Sequence, residues 1–179
     1  MNATTTSSEA TSPQTGTDER ADYLETLAKH RFFLVNTLRG LDEEQVTATP
    51  TVSELCLVGL VKHVTATESS WVDFILDGPA RQDGEPDYEG HANSFRLLPG
   101  ETAEGVLAEY ERVAARTTEV VTSLADLGVS HPLPEAPWFE PGARWSARRV
   151  LMHIVAETAQ HAGHADIIRE TIDGAKSMG

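Results

Sequence analysis

The chain has 179 residues and a formal net charge of −14, with 28 acidic residues against 14 Lys and Arg. This length is typical of one domain with its own core, and 40% hydrophobic residues is ordinary for a globular protein. The negative charge disfavours nucleic acid as a partner, because phosphate backbones are bound by clustered Lys and Arg. The single cysteine, Cys56, excludes an intramolecular disulfide and a four-cysteine zinc site.

The first 17 residues are rich in Ser and Thr, which predicts a disordered tail, and we expect the folded domain to span residues 18–179. This tail has neither the basic start nor the apolar stretch of a secretory signal. No apolar run reaches the roughly 18 residues that a membrane span requires. These features favour a cytoplasmic protein with no membrane partner.

Four long helices are predicted after the tail, from apolar residues at helical spacing and from capping residues at the ends. They run over 18–39, from Thr51 or Ser53 to 78, over 101–127, and from the cap Ser146 to 174. Residues 79–100 are predicted to form a loop, and four prolines prevent a continuous helix between residues 129 and 145. With hardly a strand candidate, the pattern predicts an all-α four-helix bundle with long inter-helix loops.

The fourth predicted helix carries a polar stripe. His153, Glu157, His161 and His164 follow one another at steps of four, four and three residues, which places them on one helix face. An amphipathic helix would normally place core-facing apolar residues there. Inward imidazoles and carboxylates in a helical bundle are typical of a metal site.

The second predicted helix offers a partner for this stripe. His63 lies on its apolar side, three residues after Leu60 and eight before Trp71. A single histidine in a core is more often structural than a ligand, but a facing helix with several inward imidazoles favours ligation. Imidazole nitrogen and carboxylate oxygen suit Zn²⁺, and also Ni²⁺, Mn²⁺ or Fe²⁺.

These two segments resemble the DinB-like metalloproteins over residues 18–174. The second helix, Gly59-Leu-Val-Lys-His63-Val-Thr-Ala-Thr-Glu-Ser-Ser-Trp, looks like the ligand helix of that superfamily. There, one histidine joins two donors spaced four residues apart on the last helix, the second commonly within His-x-Gly-Gln. The segment His161-Ala-Gly-His164 is similar, with His164 in place of the Gln, and the resemblance puts the other ligand at Glu157, where His is commoner.

The Glu at position 157, where most of the superfamily has His, narrows the resemblance to particular branches of it. The mycothiol-dependent maleylpyruvate isomerase branch also pairs a Glu with a His four residues later. More closely, Trp145-Ser-Ala-Arg-Arg-Val-Leu-Met-His-Ile-Val-Ala-Glu157 and the His161-Ala-Gly-His164-Ala-Asp-Ile-Ile-Arg-Glu segment look like the actinobacterial subgroup that includes mycothiol-dependent S-transferases. The protein is therefore identified from its sequence as similar to this subgroup of the superfamily.

The resemblance implies a metal-dependent thiol S-transferase with His63, Glu157 and His161 as ligands, and zinc is the metal that we expect. Its partners would be small molecules, namely mycothiol or a similar thiol and an electrophile. His164 is expected to act as a base or to support a ligand. Two alternatives stay open: a metal-binding or small-ligand-binding stress or sensing protein without catalysis, and a metal-dependent hydrolase. Dimers are common among the relatives, which makes a homodimer one candidate assembly.

The other candidates are given structural interpretations. We expect His153 to pack or hydrogen-bond deeper in the bundle, and the remaining histidines, among them His91, to occupy surface or loop positions. The aromatic loop 137–141 leads into the fourth helix. It could roof the site, close the end of the bundle or contact a second subunit.

Overall fold

The structure is a computed structural model that describes residues 18–79 and 87–177. Its helices are α1 (Glu19–Asn36), α2 (Glu43–Thr47), α3 (Leu57–Asp77), α4 (Tyr88–Asn93), α5 (Ala103–Ser123) and α6 (Ala147–Asp173). Strands β1 (Ser130–Pro132) and β2 (Arg144–Ser146) pair antiparallel, with His131 opposite Trp145. The predicted N-terminal tail lies outside the described residues.

The four long helices α1, α3, α5 and α6 form the predicted bundle. Helix α6 packs against α1 and α3, and α3 packs against α5. Two apolar clusters fill the space between them; Leu34 and Leu60 belong to the first, Val121 and Ile154 to the second. The predicted all-α four-helix bundle is confirmed.

Local hydrogen bonding explains where the structure departs from the predicted boundaries. Helix α3 begins at Leu57 rather than near Ser53, because the hydroxyls of Thr51 and Ser53 bond to each other and to nearby amides in a turn. Within the predicted loop, Asp87 accepts a hydrogen bond from the amide of Gly90 at 2.7 Å and caps the short helix α4. Three-residue strands such as β1 and β2 are too short to show a period in the sequence.

A buried polar cluster joins three of the helices. Glu68 on α3 is 1% exposed and forms an ion pair with Arg31 on α1. The hydroxyl of Thr117 on α5 donates to the same carboxylate. Because a buried charge is stable only when it is paired and hydrogen-bonded, this cluster restricts how α1, α3 and α5 can pack.

The packing of α3 against α6 positions the candidate site. It turns the His63 side of α3 toward the stripe on α6, so that groups distant in sequence meet in the bundle. Helix α6 itself is held at both ends, by the hydroxyl of Ser146 at its start and by Gly174 in the left-handed conformation after its end. In the part of the chain that the structure describes, every helix is too short or too polar to cross a membrane.

Candidate metal centre

Three side chains from two helices converge between α3 and α6. His63, Glu157 and His161 each offer one donor atom, and these atoms lie within 4.8 Å of one another. Both imidazoles are buried and the carboxylate is half-buried. These are the three residues that the resemblance implied as ligands, and the fold brings them together.

Helix geometry accounts for the pair on α6. Residues four apart lie above one another on a helix face, and Nε2 of His161 is 3.6 Å from Oε2 of Glu157. His63 approaches from α3 with its ring centroid 5.0 Å from that of His161, at an interplanar angle of 71°. The three donors therefore surround one small volume.

Burial sets the charge state of the two imidazoles. Burial, together with the neighbouring imidazoles of His161 and His91, lowers the pKa of His63 to about 4. It also lowers the pKa of His161, against the opposing effect of the Glu157 carboxylate. Both rings are consequently neutral near pH 7, which is the form that binds metal ions.

The donor set fits a divalent cation. Among the described residues, the ion-pair contacts of Glu157 are to His153 and His161, and no Lys or Arg side chain pairs with it. With both imidazoles neutral, one carboxylate charge stands uncompensated in a half-buried position. Two neutral nitrogens and one carboxylate are a set that zinc accepts, among other divalent metals.

His164 and His153 lie on either side of the pair on α6. Nδ1 of His164 is 3.5 Å from Nδ1 of His161, at the outer limit of hydrogen-bonding distance. The ring of His153 packs at steep angles against those of Trp71 and Trp145, with centroids 5.0 and 5.2 Å away. Its Nε2 is 3.8 Å from Glu157. Neither residue is part of the three-donor cluster.

Sequence reasoning missed the segment that follows α4. The ring of Phe95 stacks on His63 with centroids 3.9 Å apart, and Oγ of Ser94 lies 2.9 Å from Nδ1 of His63. His91 is exposed, as expected, but its ring centroid is 5.6 Å from that of His63. No periodicity links residues 91–95 to His63, so only the tertiary structure shows this contact.

The aromatic loop lies along a separate groove of about 1030 Å³ between α3 and α5. Trp138 and Phe139 line this groove together with Trp71 and Asp73, and none of the three donors does so among the described residues. Trp71 also touches His153. Trp138 and Phe139 therefore line a groove that does not include the donor cluster.

Comparison with known proteins supports the fold. A solved structure, described as the crystal structure of the conserved protein of locus from Enterococcus faecalis, is similar with a TM-score of 0.68 at 12% identity. The match covers 89% of this chain and 100% of that one, and it supports the fold alone. No protein of curated function shows a significant sequence match.

A family model described as mycothiol S-transferase matches residues 22–174. The match includes α3 with His63 and α6 with Glu157 and His161, as well as the segment after α4. This confirms the resemblance predicted from the sequence. The chain belongs to the mycothiol S-transferase family.

Proposed function

We propose that this protein is a metal-dependent S-transferase that joins mycothiol, or a similar low-molecular-weight thiol, to an electrophile. The observation that carries the proposal is the convergence of His63, Glu157 and His161 within 4.8 Å in a chain of this family. We assign these three residues as the ligands and zinc as the metal. Three protein donors leave one position of a four-coordinate ion for a substrate.

A bound divalent metal would supply one thing that the side chains cannot, because it lowers the pKa of a coordinated thiol until the thiolate prevails at neutral pH. The neutral imidazoles of His63 and His161 and the charge of Glu157 provide donors without a competing proton. The ring of Phe95 covers one face of the His63 imidazole.

Proton transfer is the role that we propose for His164. The thiol S–H bond breaks, its proton passes to a base, and the sulfur electron pair forms the new S–C bond as the leaving group departs with its own pair. His164 is half-buried and lies beside His161, which supports a role in taking the proton and releasing it to water. Replacement by Ala should keep the metal and slow the reaction.

Elemental analysis of the purified protein tests the ligand set. We expect stoichiometric metal in the wild type, and its loss in His63→Ala and in His161→Ala. His30→Ala is the matched control, because His30 is on α1 and outside the cluster. Undiminished metal in both ligand variants would refute the assignment.

The activity is tested by conjugation of mycothiol to monochlorobimane, in which the thiolate displaces chloride and fluorescence appears. We expect a rate that a chelator abolishes and that added zinc restores. A rate equal to the uncatalysed background, with and without metal, would argue against a transferase and leave the metal-binding result standing by itself.

A further inference from the structure

The imidazole of His63 is held by the segment that follows α4. Its Nδ1 lies 2.9 Å from Oγ of Ser94, and its face stacks on the ring of Phe95 at an interplanar angle of 17°. The other ring nitrogen, Nε2, has Oγ1 of Thr67 at 3.5 Å. The two nitrogens therefore differ, because one has a short hydrogen bond and the other only a long contact.

The direction of the short hydrogen bond follows from a second one. Oγ of Ser94 lies 2.6 Å from the carbonyl oxygen of His91. A carbonyl can only accept, so the single hydroxyl proton of Ser94 is donated to it. Oγ must then accept from His63, which requires the proton on Nδ1. A neutral imidazole has one such proton, so Nε2 retains its lone pair.

The position of Ser94 is itself fixed by α3. The ammonium group of Lys62, the residue before His63, donates to the carbonyl oxygens of Asn93 and Arg96 at 3.2 and 3.0 Å. These two residues flank Ser94 and Phe95. The hydroxyl acceptor is thus tied to the same helix that carries His63, and the pair cannot separate without breaking these contacts.

We propose that Ser94 is a positioning residue of the metal centre. Its hydroxyl oxygen accepts a hydrogen bond from Nδ1–H of His63, which leaves Nε2 as the metal-binding nitrogen. The inference rests on the proposed role of His63 as a ligand. Hydrogen bonds of this kind to ligand histidines fix both the tautomer and the ring orientation. The wrong tautomer would place a proton where the metal must bind.

Nitrogen NMR of the metal-free wild type tests the tautomer directly. Long-range ¹H–¹⁵N spectra of the histidine rings distinguish protonation at Nδ1 from protonation at Nε2, and His63→Gln assigns the signal. We expect His63 to carry its proton on Nδ1. A proton on Nε2 would overturn the proposal, whatever the metal-binding result.

Variants of Ser94 then test the consequence for affinity, with zinc titrated in competition with a chromogenic chelator. Loss of an outer-shell partner typically lowers metal affinity about 10–100-fold, and we expect this for Ser94→Ala, with His63 becoming a mixture of tautomers. Ser94→Thr keeps a hydroxyl and should retain both the wild-type tautomer and most of the affinity.

The two readouts separate failure of this inference from failure of the proposed function. Wild type that binds no zinc but carries the Nδ1 proton refutes the metal centre and leaves the Ser94–His63 hydrogen bond intact. Ser94→Ala that binds zinc as tightly as wild type, with an unchanged tautomer, refutes the positioning role. Far-UV circular dichroism of each variant verifies that it is folded.

Discussion

The carbonyl oxygen of Phe95 lies so close to Gly59 that a methyl group on Gly59 would be 1.8 Å from it. No side chain at position 59 can occupy that space, because the nearest atoms are the backbone carbonyl of Phe95, which cannot rotate away as a side chain could. The absence of a side chain at Gly59 thus lets the segment after α4 approach α3 one turn before His63, and the ring of Phe95 stacks on His63 as a result.

Gly59→Ala should therefore destabilise the protein and loosen the segment that contacts His63. Forcing an extra methyl into a packed region typically costs about 1–3 kcal/mol, and we expect that loss in the free energy of unfolding. Gly163→Ala is the matched control, since a methyl at this helical glycine would meet nothing within 4 Å. Replacing a glycine inside a helix by alanine should raise the free energy of unfolding by roughly 0.5–1 kcal/mol.

Urea denaturation followed by far-UV circular dichroism measures both variants. If the backbone of Phe95 contacts Gly59 as described, the free energy of unfolding should fall in Gly59→Ala and rise in Gly163→Ala. If Gly59→Ala also stabilised the protein, the segment after α4 would have to lie farther from α3 than the structure places it.

The features that could be predicted from the sequence are those that leave a periodic pattern in it. Amphipathic spacing and capping residues were sufficient for four long helices, and the step of four residues between Glu157 and His161 was sufficient to place them on one face. The contact of Ser94 and Phe95 with His63 has no such signature. It depends on how a short helix packs, and on a close approach at Gly59 that no local pattern announces.

Removal of the negative charge from the donor cluster should abolish tight metal binding. Glu157→Gln keeps the size of the side chain but replaces the one anionic donor among the three. Removing a residue that only hydrogen-bonds to a ligand already lowers metal affinity by up to about 100-fold. We expect a larger loss of zinc affinity when a ligand itself is replaced. Glu170→Gln, on an exposed position of the same helix, should bind zinc as wild type does.

Competition with a chromogenic chelator gives both dissociation constants. A Glu157→Gln protein with wild-type affinity would exclude this carboxylate as a ligand. Weakened binding in Glu170→Gln as well would instead indicate a general effect of charge on α6.

The buried ion pair between Arg31 on α1 and Glu68 on α3 should respond differently to replacement of one partner and of both. Arg31→Met leaves Glu68, which is 1% exposed, without its cationic partner. Breaking such a pair from one side typically destabilises by about 3–5 kcal/mol. In Arg31→Met with Glu68→Gln, no charge remains buried, and the amide can still accept from Thr117, so most of the loss should be recovered.

Chemical denaturation of the single and double variants checks this relation. A double variant as unstable as Arg31→Met would show that packing of the arginine side chain, and not its charge, accounts for the effect. The metal content should be unchanged in either case, since neither residue belongs to the donor cluster.

Acid should destabilise the metal-free protein through the two buried histidines of the donor cluster. His63 has a folded-state pKa of about 4 against 6.5 for an unperturbed imidazole. Between these two pH values the unfolded state takes up a proton that the folded state refuses, so the free energy of unfolding falls as the pH falls. Burial lowers the pKa of His161 as well, which adds a loss in the same direction.

A shift of this size corresponds to a loss of about 3 kcal/mol for His63, present in full below pH 4 and absent above pH 6.5. Urea denaturation in the presence of chelator, repeated across this range, measures the slope. His63→Gln has no imidazole to protonate and should show a shallower dependence on pH. An equal slope in the two proteins would assign the acid sensitivity to other groups, because the substitution removes only this proton-binding site.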